Sequence, residues 1–396
     1  MQIINNTGAI IGEQINLGNI DNLNIDDLFK GNTKSSKMEN KIKAEIVAHS
    51  KRANTGEEII TYRLTYPRII LSEVNTYKMI EKNTSSSRAC PFEKMVEVVE
   101  KEPFIPIAWQ KSHKGMQGTE YITDEKDIKL LNFKWLQSRD SAIESAYNIY
   151  NNGATKQLCN RLIEPFMWVT QLCTGTRESF EHLFDQRCPF YEVPYYINDL
   201  TEDDRKVQME LGGCSKKDII KHIRENKLDT DVLAWDDLKW LQHNKGQAEI
   251  HFMDLAEKMY DALNESKPDI LEDNEWHIPF SDRPEFTPEM TLKDKIILSC
   301  AMTARISYTK IGDENTLTIE KAREIYDKCV KQGHFSVVSH CAKCMTEYEH
   351  ETWIKGKVEI SEELNVLELD TEYQGYCKNL RGFIPLRQFV EDDIKI

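Results

Sequence analysis

Three serines and an arginine stand together at Ser85 to Arg88 and form the first group in this sequence that could do chemistry. They precede Cys90-Pro91 and an apolar-periodic run that begins at Phe92. A proline in the first turn, after polar residues, is typical of a helix start. Backbone N–H groups at a helix N-terminus, hydroxyls and a guanidinium together suit a phosphate or another anion. The segment therefore predicts an anion site, with an ordinary serine-rich cap beside a solvated arginine as the alternative.

A second arginine continues the apolar face of a predicted helix. Phe180, Leu183 and Phe184 form this face, and Arg187 extends it one heptad after Phe180. Because a lone buried charge is costly, the pattern predicts an anionic partner for Arg187. The alternative is an arginine that snorkels at the helix end, where a cation also suits the helix dipole.

A hairpin and a series of helices would position these groups. Residues 41–71 resemble β structure on either side of Asn54-Thr55-Gly56, which predicts a hairpin. Helices are predicted from Pro91 onward and over residues 124–151, 157–187, 247–263, 291–308 and 319–332. The helix over 157–187 has a break at Cys173-Thr174-Gly175, where Thr174 or Thr176 can cap its second half. One or two strands are predicted within residues 346–370.

Composition excludes several classes of protein. The chain has 396 residues, 40% of them hydrophobic, and a net charge of -15. A protein that coats polymeric nucleic acid needs a basic surface, so the net negative charge argues against this class. Binding of a single nucleotide in a local basic pocket is still compatible with that charge. No run approaches the roughly 18 apolar residues of a membrane span, and the N-terminus lacks the pattern of a signal peptide. The ten cysteines form no small-domain framework, which predicts a reducing, cytoplasmic location.

Shifts in composition divide the chain into five parts. Residues 1–40 are rich in Asn, Asp and Gly and are predicted to be a polar N-terminal arm. A first catalytic part over 41–187 is separated from a second over 247–345 by an acidic insertion at 188–246. Residues 346–396 are predicted to be a C-terminal extension, which ends in the basic and aromatic run NLRGFIPLRQF.

Three blocks of the sequence resemble the flavin-dependent thymidylate synthases. In the first block, Ser86 and Arg88 match the family's Ser and Arg, whereas Thr76-Tyr77-Lys78 stands where the family has Arg-His-Arg. The second block runs from Arg161 through TGTRESFEHLFDQR, and its matching residues are Arg161, Thr174, Ser179, His182 and Arg187. The third block comprises Ala304-Arg305-Ile306-Ser307 and the run from Lys331 to His340.

The third block lies near the C-terminus, whereas most members of the family begin with it. This order resembles that of circularly permuted, phage-type members, and permutation is physically reasonable where termini lie close together. The resemblance implies an α/β (α+β) fold, with a mixed, largely antiparallel sheet packed with long helices, as in thymidylate synthase-complementing proteins. It also implies a homotetramer with active sites at subunit interfaces and, for a bacteriophage protein, a location in the host cytoplasm.

The resemblance further implies methylation of dUMP to dTMP with methylenetetrahydrofolate as carbon donor, reduced FAD as hydride source and NADPH as reductant of the flavin. Such an enzyme positions its reactants and polarises the base, and it needs no protein nucleophile. The implied substrate-binding residues, of which Ser86 and Arg187 would also be catalytic, are Glu73, Thr84, Ser86, Arg88, Arg161 and Arg187. The implied cofactor-binding residues are Thr76, Tyr77, Lys78, Thr176, His182, Ser307, His334 and Ser336.

The chain departs from the family mainly on the flavin side. The changed triplet keeps one charge at Lys78, and Glu178 replaces an arginine. Each lost charge-assisted hydrogen bond removes about 1.5–3 kcal/mol, although Tyr77 could stack on an aromatic ring. Two alternatives follow. One is a flavin-dependent pyrimidine deoxynucleotide enzyme with an altered product, such as a hydroxymethylated base. The other is a dUMP-binding protein that has lost its flavin.

A competing group of metal-binding residue types lies in the third block. His334, His340, Cys341 and Cys344 have the chemistry of zinc ligands. A single Cys-x-x-Cys without a second pair is a weak signal, however, and packed thiols are the commoner role of such residues. No metal is therefore predicted.

Overall fold

The computed structural model describes residues 2–4, 10–13, 40–115, 118–191, 215–227, 230–246, 248–308, 317–356, 360–361, 366–367 and 379–391. The strands are β1 (Gln2–Ile4), β2 (Ile10–Glu13), β3 (Lys43–Arg52), β4 (Glu58–Pro67), β5 (Glu81–Thr84), β6 (Trp168–Thr176), β7 (Asp269–Leu271), β8 (Trp276–His277), β9 (Ala342–Cys344), β10 (Ile360–Ser361), β11 (Val366–Leu367) and β12 (Phe383–Pro385). The helices are α1 (Leu71–Val74), α2 (Phe92–Lys101), α3 (Glu125–Asn151), α4 (Lys156–Leu162), α5 (Arg177–Arg187), α6 (Lys216–Glu225), α7 (Asp237–Gln242), α8 (Ile250–Glu265), α9 (Leu292–Tyr308), α10 (Ile319–Lys331), α11 (Glu347–Gly356) and α12 (Leu386–Glu391).

The central sheet has five strands in the order β5-β6-β4-β3-β7. Its neighbours pair antiparallel except for β3 and β7, which run parallel. With helices packed on it, this mixed sheet confirms the predicted mixed α/β class. In the predicted arm, β1 and β2 form a separate antiparallel pair, and the rest of residues 1–39 lies outside the described residues.

The predicted hairpin is confirmed as β3 and β4. The register runs from Lys43 opposite Thr65 to Lys51 opposite Glu58, with an irregularity between Ile46 and Ala48. The connecting turn contains Gly56 at a positive φ of 81°, a conformation that glycine adopts without the steric cost of a Cβ atom.

The prediction of helix over residues 157–187 is wrong in the middle. Helices α4 and α5 form its two ends, but residues 168–176 are the strand β6, which lies between β4 and β5. Most of this strand is buried, so it lacks the alternating pattern that marks a half-exposed strand. The prediction that Thr174 or Thr176 caps the following helix is confirmed for Thr176, whose hydroxyl accepts from the Ser179 amide at 3.4 Å.

The two faces of the central sheet pack against different layers. On one face, residues such as Tyr62 and Cys173 join a large apolar core with side chains of α5 and α8, including Phe180 and Phe252. On the other face, Leu172 packs with Val47, Phe280 and partly buried side chains of α9. The sheet therefore separates helices α5 and α8 from helix α9.

A second sheet, with the order β12-β9-β8, is completed by the C-terminal segment 379–391. The one or two strands predicted within residues 346–370 are confirmed as the short antiparallel pair β10 and β11, and the helix α11 precedes them at residues 347–356. The remaining predicted helices α2, α3, α8, α9 and α10 are confirmed. None of the helices among the described residues is long and apolar enough to cross a membrane.

Candidate functional site

Strand β5 forms an edge of the central sheet and carries polar side chains on both faces. Lys82 and Thr84 stand opposite Cys173 and Gln171 of β6, on the face that α5 and α8 cover. Asn83 stands opposite Leu172 and points to the α9 side. Because successive side chains of a strand alternate between faces, groups from both layers come close together at this edge.

The buried Asn83 side chain connects β5 with the third sequence block. Its amide nitrogen donates to the Thr303 carbonyl at 2.7 Å, and its carbonyl oxygen accepts from the Ser307 hydroxyl at 2.9 Å and the Ser336 hydroxyl at 3.2 Å. Ser307 Oγ is also 3.1 Å from the Thr84 carbonyl oxygen. Two predicted cofactor-binding residues, Ser307 and Ser336, are thus joined to the strand that carries Thr84. Nothing in the sequence singled out Asn83, apart from its place between Lys82 and Thr84.

The serine run follows β5 and lies just before α2, whose predicted start after Pro91 is confirmed, but none of the serines caps the helix. Helix α2 begins only at Phe92, after Pro91, and has no side-chain cap. The Ser85 amide donates to the Thr170 carbonyl at 2.8 Å, and the Ser86 amide donates to the Ser307 carbonyl at 3.4 Å. These two amides already have acceptors, so an anion here would depend on side-chain donors.

Beside the serine run lies an ion pair that the sequence did not predict. Arg68 Nη2 is 3.1 Å from Glu164 Oε1, and the same oxygen accepts from the Ser87 hydroxyl at 2.5 Å. Arg88 and Arg161, both predicted to bind substrate, are exposed and form no hydrogen bond or ion pair with the described residues. Both side chains therefore lie at the surface of the described part of the chain.

Arg187 is held by aromatic residues rather than by an acid. Its Nε donates to the Tyr77 hydroxyl at 2.6 Å, and its guanidinium carbon lies 5.6 Å from the Tyr77 ring centroid and 5.4 Å from that of Phe252. Within the described part of the chain no carboxylate pairs with this half-buried side chain. The predicted anionic partner is thus absent there, and cation–π contact takes its place.

Tyr77, His182 and Arg187 lie together at the end of α5. The Tyr77 hydroxyl donates to Gln186 Oε1 at 3.0 Å, and Gln186 Nε2 lies 3.2 Å from His182 Nε2. The Tyr77 and His182 ring centroids are 6.5 Å apart. His182 is exposed, whereas Tyr77 is buried.

Gln171 connects this group to β5. Its amide nitrogen donates to the Thr84 hydroxyl at 2.6 Å and to Asn75 Oδ1 at 3.2 Å, and its carbonyl oxygen accepts from the Tyr66 hydroxyl at 2.8 Å. Asn75 begins the turn that carries Thr76, Tyr77 and Lys78. Sequence reasoning missed Gln171 because the strand β6 was not predicted.

The other predicted residues lie apart from these groups. Glu73 and Thr76 are exposed, and they contact each other through the Thr76 hydroxyl, which donates to the Glu73 carbonyl at 2.6 Å. Thr176 lies at the opposite end of α5 from Arg187. Lys78, His334 and Ser336 are exposed. An ammonium group and an imidazole at the surface suit a diphosphate, whereas the Ser336 hydroxyl donates to the buried Asn83 at 3.2 Å.

The region of the competing zinc site is occupied by a buried chain of hydrogen bonds. His340 Nδ1 lies 2.8 Å from the Thr174 hydroxyl, which is 2.7 Å from that of Thr61, and Thr61 lies 2.8 Å from His277 Nε2. Burial lowers the pKa of both His277 and His340 to about 3. No group of three potential ligands among the described residues is placed to hold a metal ion.

Comparison with known proteins gives limited similarity. No family model matches the sequence, and no curated protein matches it. Two solved structures of PolB from Streptomyces cacaoi, a UMP/dUMP methylase, are similar; one is bound with 5-Br dUMP and the other with 5-Br UMP. The identities are 10% and 11%, and each match covers 43% of this chain and 87% of that chain at a TM-score of 0.31. Such a score is too low to establish a common fold, so the function proposed below rests on this chain's own residues.

Proposed function

We propose that this chain is a flavin-dependent thymidylate synthase-like enzyme. Its substrate would be dUMP, which it would methylate to dTMP with methylenetetrahydrofolate and NADPH. The fold would be that of the thymidylate synthase-complementing proteins, and the enzyme would be a homotetramer whose active sites lie at subunit interfaces.

One observation carries the proposal: the three resembling blocks, far apart in sequence, converge at the end of β5. The first block supplies Thr84 and Ser86. The second supplies β6, whose Gln171 donates to the Thr84 hydroxyl at 2.6 Å, and it also carries Arg187 at the end of α5. The third supplies Ser307, whose carbonyl accepts from the Ser86 amide at 3.4 Å. Residues that the resemblance assigns to substrate and to cofactor thus become neighbours in the folded chain.

The proposed roles follow from the chemistry of the side chains. Tyr77 engages the Nε of Arg187, and the two terminal nitrogens of Arg187 have no hydrogen-bond partner among the described residues, so a ligand could take them. A planar guanidinium suits a phosphate or a polarised uracil oxygen. The exposed Arg88 and Arg161 would add cationic donors to the nucleotide phosphate, and the Ser86 hydroxyl would orient the base.

The cofactor would bind at exposed residues. Lys78, His182, His334 and Ser336 are exposed and would hold FAD, with Ser307 fixing the position of Ser336 through Asn83. FAD, when bound, supplies the hydride that reduces the transferred carbon to a methyl group. The chain's own contribution would be to hold dUMP in one orientation and to exclude water from the base.

The proposal is tested by the visible absorption spectrum of the purified protein, before and after addition of FAD and desalting. Retained flavin bands, together with tritium release from carbon-5-labelled dUMP when NADPH and methylenetetrahydrofolate are present, are the expected result. Arg187→Ala is the matched negative control and should release no tritium. If the purified protein keeps no FAD, with or without dUMP, the proposal of a flavin-dependent enzyme is wrong.

A nucleotide-binding protein without flavin remains the second candidate, because the changed triplet keeps only one cation, Lys78, and its Tyr77 side chain is buried. Tight dUMP binding without tritium release would identify it. Mass spectrometry of the product separates the remaining alternative, since dTMP as the only product excludes hydroxymethylation.

A further inference from the structure

Tyr77 is buried, and its hydroxyl is both a hydrogen-bond donor and an acceptor. Its side chain is only 8% exposed, and the ring meets Phe252 edge-on with centroids 6.0 Å apart. Its hydroxyl has two partners at once, since it accepts from Arg187 Nε at 2.6 Å and donates to Gln186 Oε1 at 3.0 Å. Both hydrogen-bonding capacities of the phenol are therefore used on the last turn of α5.

We propose that Tyr77 is a positioning residue for Arg187, which it aims at the bound nucleotide. This inference rests on the proposed binding of dUMP by Arg187. Arginine has five N–H donors in a fixed plane, and the bond from Nε to Tyr77 fixes the rotation of that plane. The terminal nitrogens Nη1 and Nη2 are then presented together, which is the geometry that a bidentate anion requires.

The turn that carries Tyr77 is itself attached to β5. Lys82 Nζ donates to the Tyr77 carbonyl, and to the Ile80 carbonyl at 3.0 Å. The Lys82 ammonium group thus donates to two backbone carbonyls. Lys82 lies on the same sheet face as Cys173. Tyr77 is consequently fixed to β5 through its backbone and to α5 through its hydroxyl, and it links the strand of Thr84 to the helix of Arg187.

A purely structural role for Tyr77 makes a different prediction from a positioning role. As a core residue, Tyr77 would matter through its ring, which packs with Phe252 in the main apolar core. As a positioning residue, it matters through its hydroxyl. Tyr77→Phe separates the two, because it keeps the ring and removes only the oxygen.

The chain offers a matched control in Tyr62. This side chain is also buried in the main core, and its hydroxyl donates to the Met259 carbonyl at 2.9 Å. Tyr62→Phe therefore removes a buried phenolic hydrogen bond of the same kind without touching Arg187. Both variants should lose similar stability, so a difference between them in dUMP binding reports on the position of Arg187.

The first experiment measures dUMP affinity by calorimetry. Tyr77→Phe should bind dUMP about tenfold more weakly or worse, whereas Tyr62→Phe should bind as the wild type does. In an Arg187→Lys background, which lacks Nε, Tyr77→Phe should have no further effect. Equal weakening by Tyr62→Phe, or full additivity in the Arg187→Lys background, overturns the positioning role.

The second experiment needs no nucleotide and so separates this inference from the proposed function. In protein labelled with ¹⁵N-arginine, the Arg187 Nε–H should exchange slowly with water in the wild type and rapidly in Tyr77→Phe. Unchanged exchange overturns the inference. If the wild type fails to bind dUMP while the exchange difference is present, the proposed function fails and the contact between Tyr77 and Arg187 stands.

Discussion

Arg187 illustrates how much a single side chain depends on its immediate neighbours. Sequence periodicity placed it correctly at the end of a buried stripe, next to Phe184 and Leu183. Its partners could not be predicted, because Tyr77 and Phe252 come from distant parts of the chain and reach it only in the folded core. Asn83 and Gln171 escaped prediction for a related reason, since a buried polar residue in a strand is recognised only once the strand order is known.

Replacement of Arg187 tests the site most directly. Arg187→Ala should abolish dUMP binding, because it removes the cation that extends the apolar face of α5. The fold should persist, since the side chain is only half-buried and pairs with no carboxylate among the described residues. Calorimetric titration with dUMP and a thermal unfolding curve measure both effects. An Arg187→Ala protein that binds dUMP normally would remove this residue from the site.

The buried His277 should make the protein sensitive to acid. Burial lowers its pKa to about 3, well below the value in an unfolded chain. Between pH 6.5 and pH 3 the His277 imidazole is therefore protonated in the unfolded chain and neutral in the folded one. Folding stability from this group is complete above that window and falls by about 1.4 kcal/mol per pH unit as the pH drops through it.

A variant isolates this contribution from the other titrating groups. His277→Gln keeps polar atoms near Ser50 and Thr61, which lie 2.9 Å and 2.8 Å from the imidazole nitrogens. The slope of unfolding free energy against pH, measured with urea between about pH 4 and pH 6, should be shallower in the variant by about 1.4 kcal/mol per unit. Identical slopes would mean that the histidine is charged in the folded protein.

At the scale of elements, the hairpin and most helices followed from sequence, whereas the centre of the sheet did not. In residues 43–67, apolar and polar residues alternate on either side of a glycine turn. Helices α3 and α8 carry apolar residues at helical spacing. The strand β6 is buried on both faces between β4 and β5. Its sequence mixes apolar residues with Thr170, Gln171 and Thr174, so it shows neither strand alternation nor a clear helical face, and only tertiary packing decides between the two.

Asn83 should matter for both stability and ligand binding, because it connects β5 to α9 and to the turn at 335–338. Asn83→Ala leaves the Thr303 carbonyl and the Ser307 and Ser336 hydroxyls without this partner. The unfolding free energy should fall by about 1–3 kcal/mol, as measured by urea denaturation. Ser336→Ala removes only one of the three contacts and should cost clearly less; an equal loss would argue against the role of Asn83.

The described residues of the predicted insertion over 188–246 are anchored to α8 by a buried carboxyl. Glu257 is 2% exposed, accepts from the Tyr191 hydroxyl at 3.1 Å and from the Lys216 amide at 2.7 Å, and so holds the start of α6. Burial raises its pKa to about 7. The docked carboxyl therefore keeps a proton that an undocked one loses above its ordinary pKa of 4.5, and docking weakens as the pH rises through this window.

Hydrogen exchange can follow that change. Amides of residues 216–225, corrected for intrinsic rates, should lose protection between pH 4.5 and about pH 7 relative to those of α3. In Glu257→Gln, which does not titrate, this extra loss should disappear. A variant with the pH dependence of the wild type would locate its origin elsewhere.

At the scale of the whole molecule, the C-terminal segment belongs to the packed body of the described chain. Phe383 and Leu380 are buried against Ile59 of β4, and β12 pairs with β9. The preceding Gly382 has a φ of 86°, and a Cβ atom there would lie 3.0 Å from Arg52 Cδ, so the turn requires glycine. The remainder of the predicted extension lies outside the described residues.

Truncation of one ring tests how much this segment contributes. Phe383→Ala should lower the unfolding free energy by about 3–5 kcal/mol, since it removes a fully buried aromatic side chain. Urea denaturation measures the loss. Phe389→Ala, in the partly buried face of α12, is the matched control and should lose less. Equal losses in the two variants would show that the buried ring of Phe383 contributes no more to stability than the partly buried ring of Phe389.

The parallel pair of β3 and β7 has a consequence for how the chain is made. Ser50 finds its partner Asp269 only after all of the intervening residues have been synthesised. Contacts of such long sequence separation slow folding, and unpaired strand edges invite aggregation in the meantime. On the ribosome, the nascent chain would expose the open edge of β3 for most of its synthesis, so its yield in a cell should depend on chaperone supply.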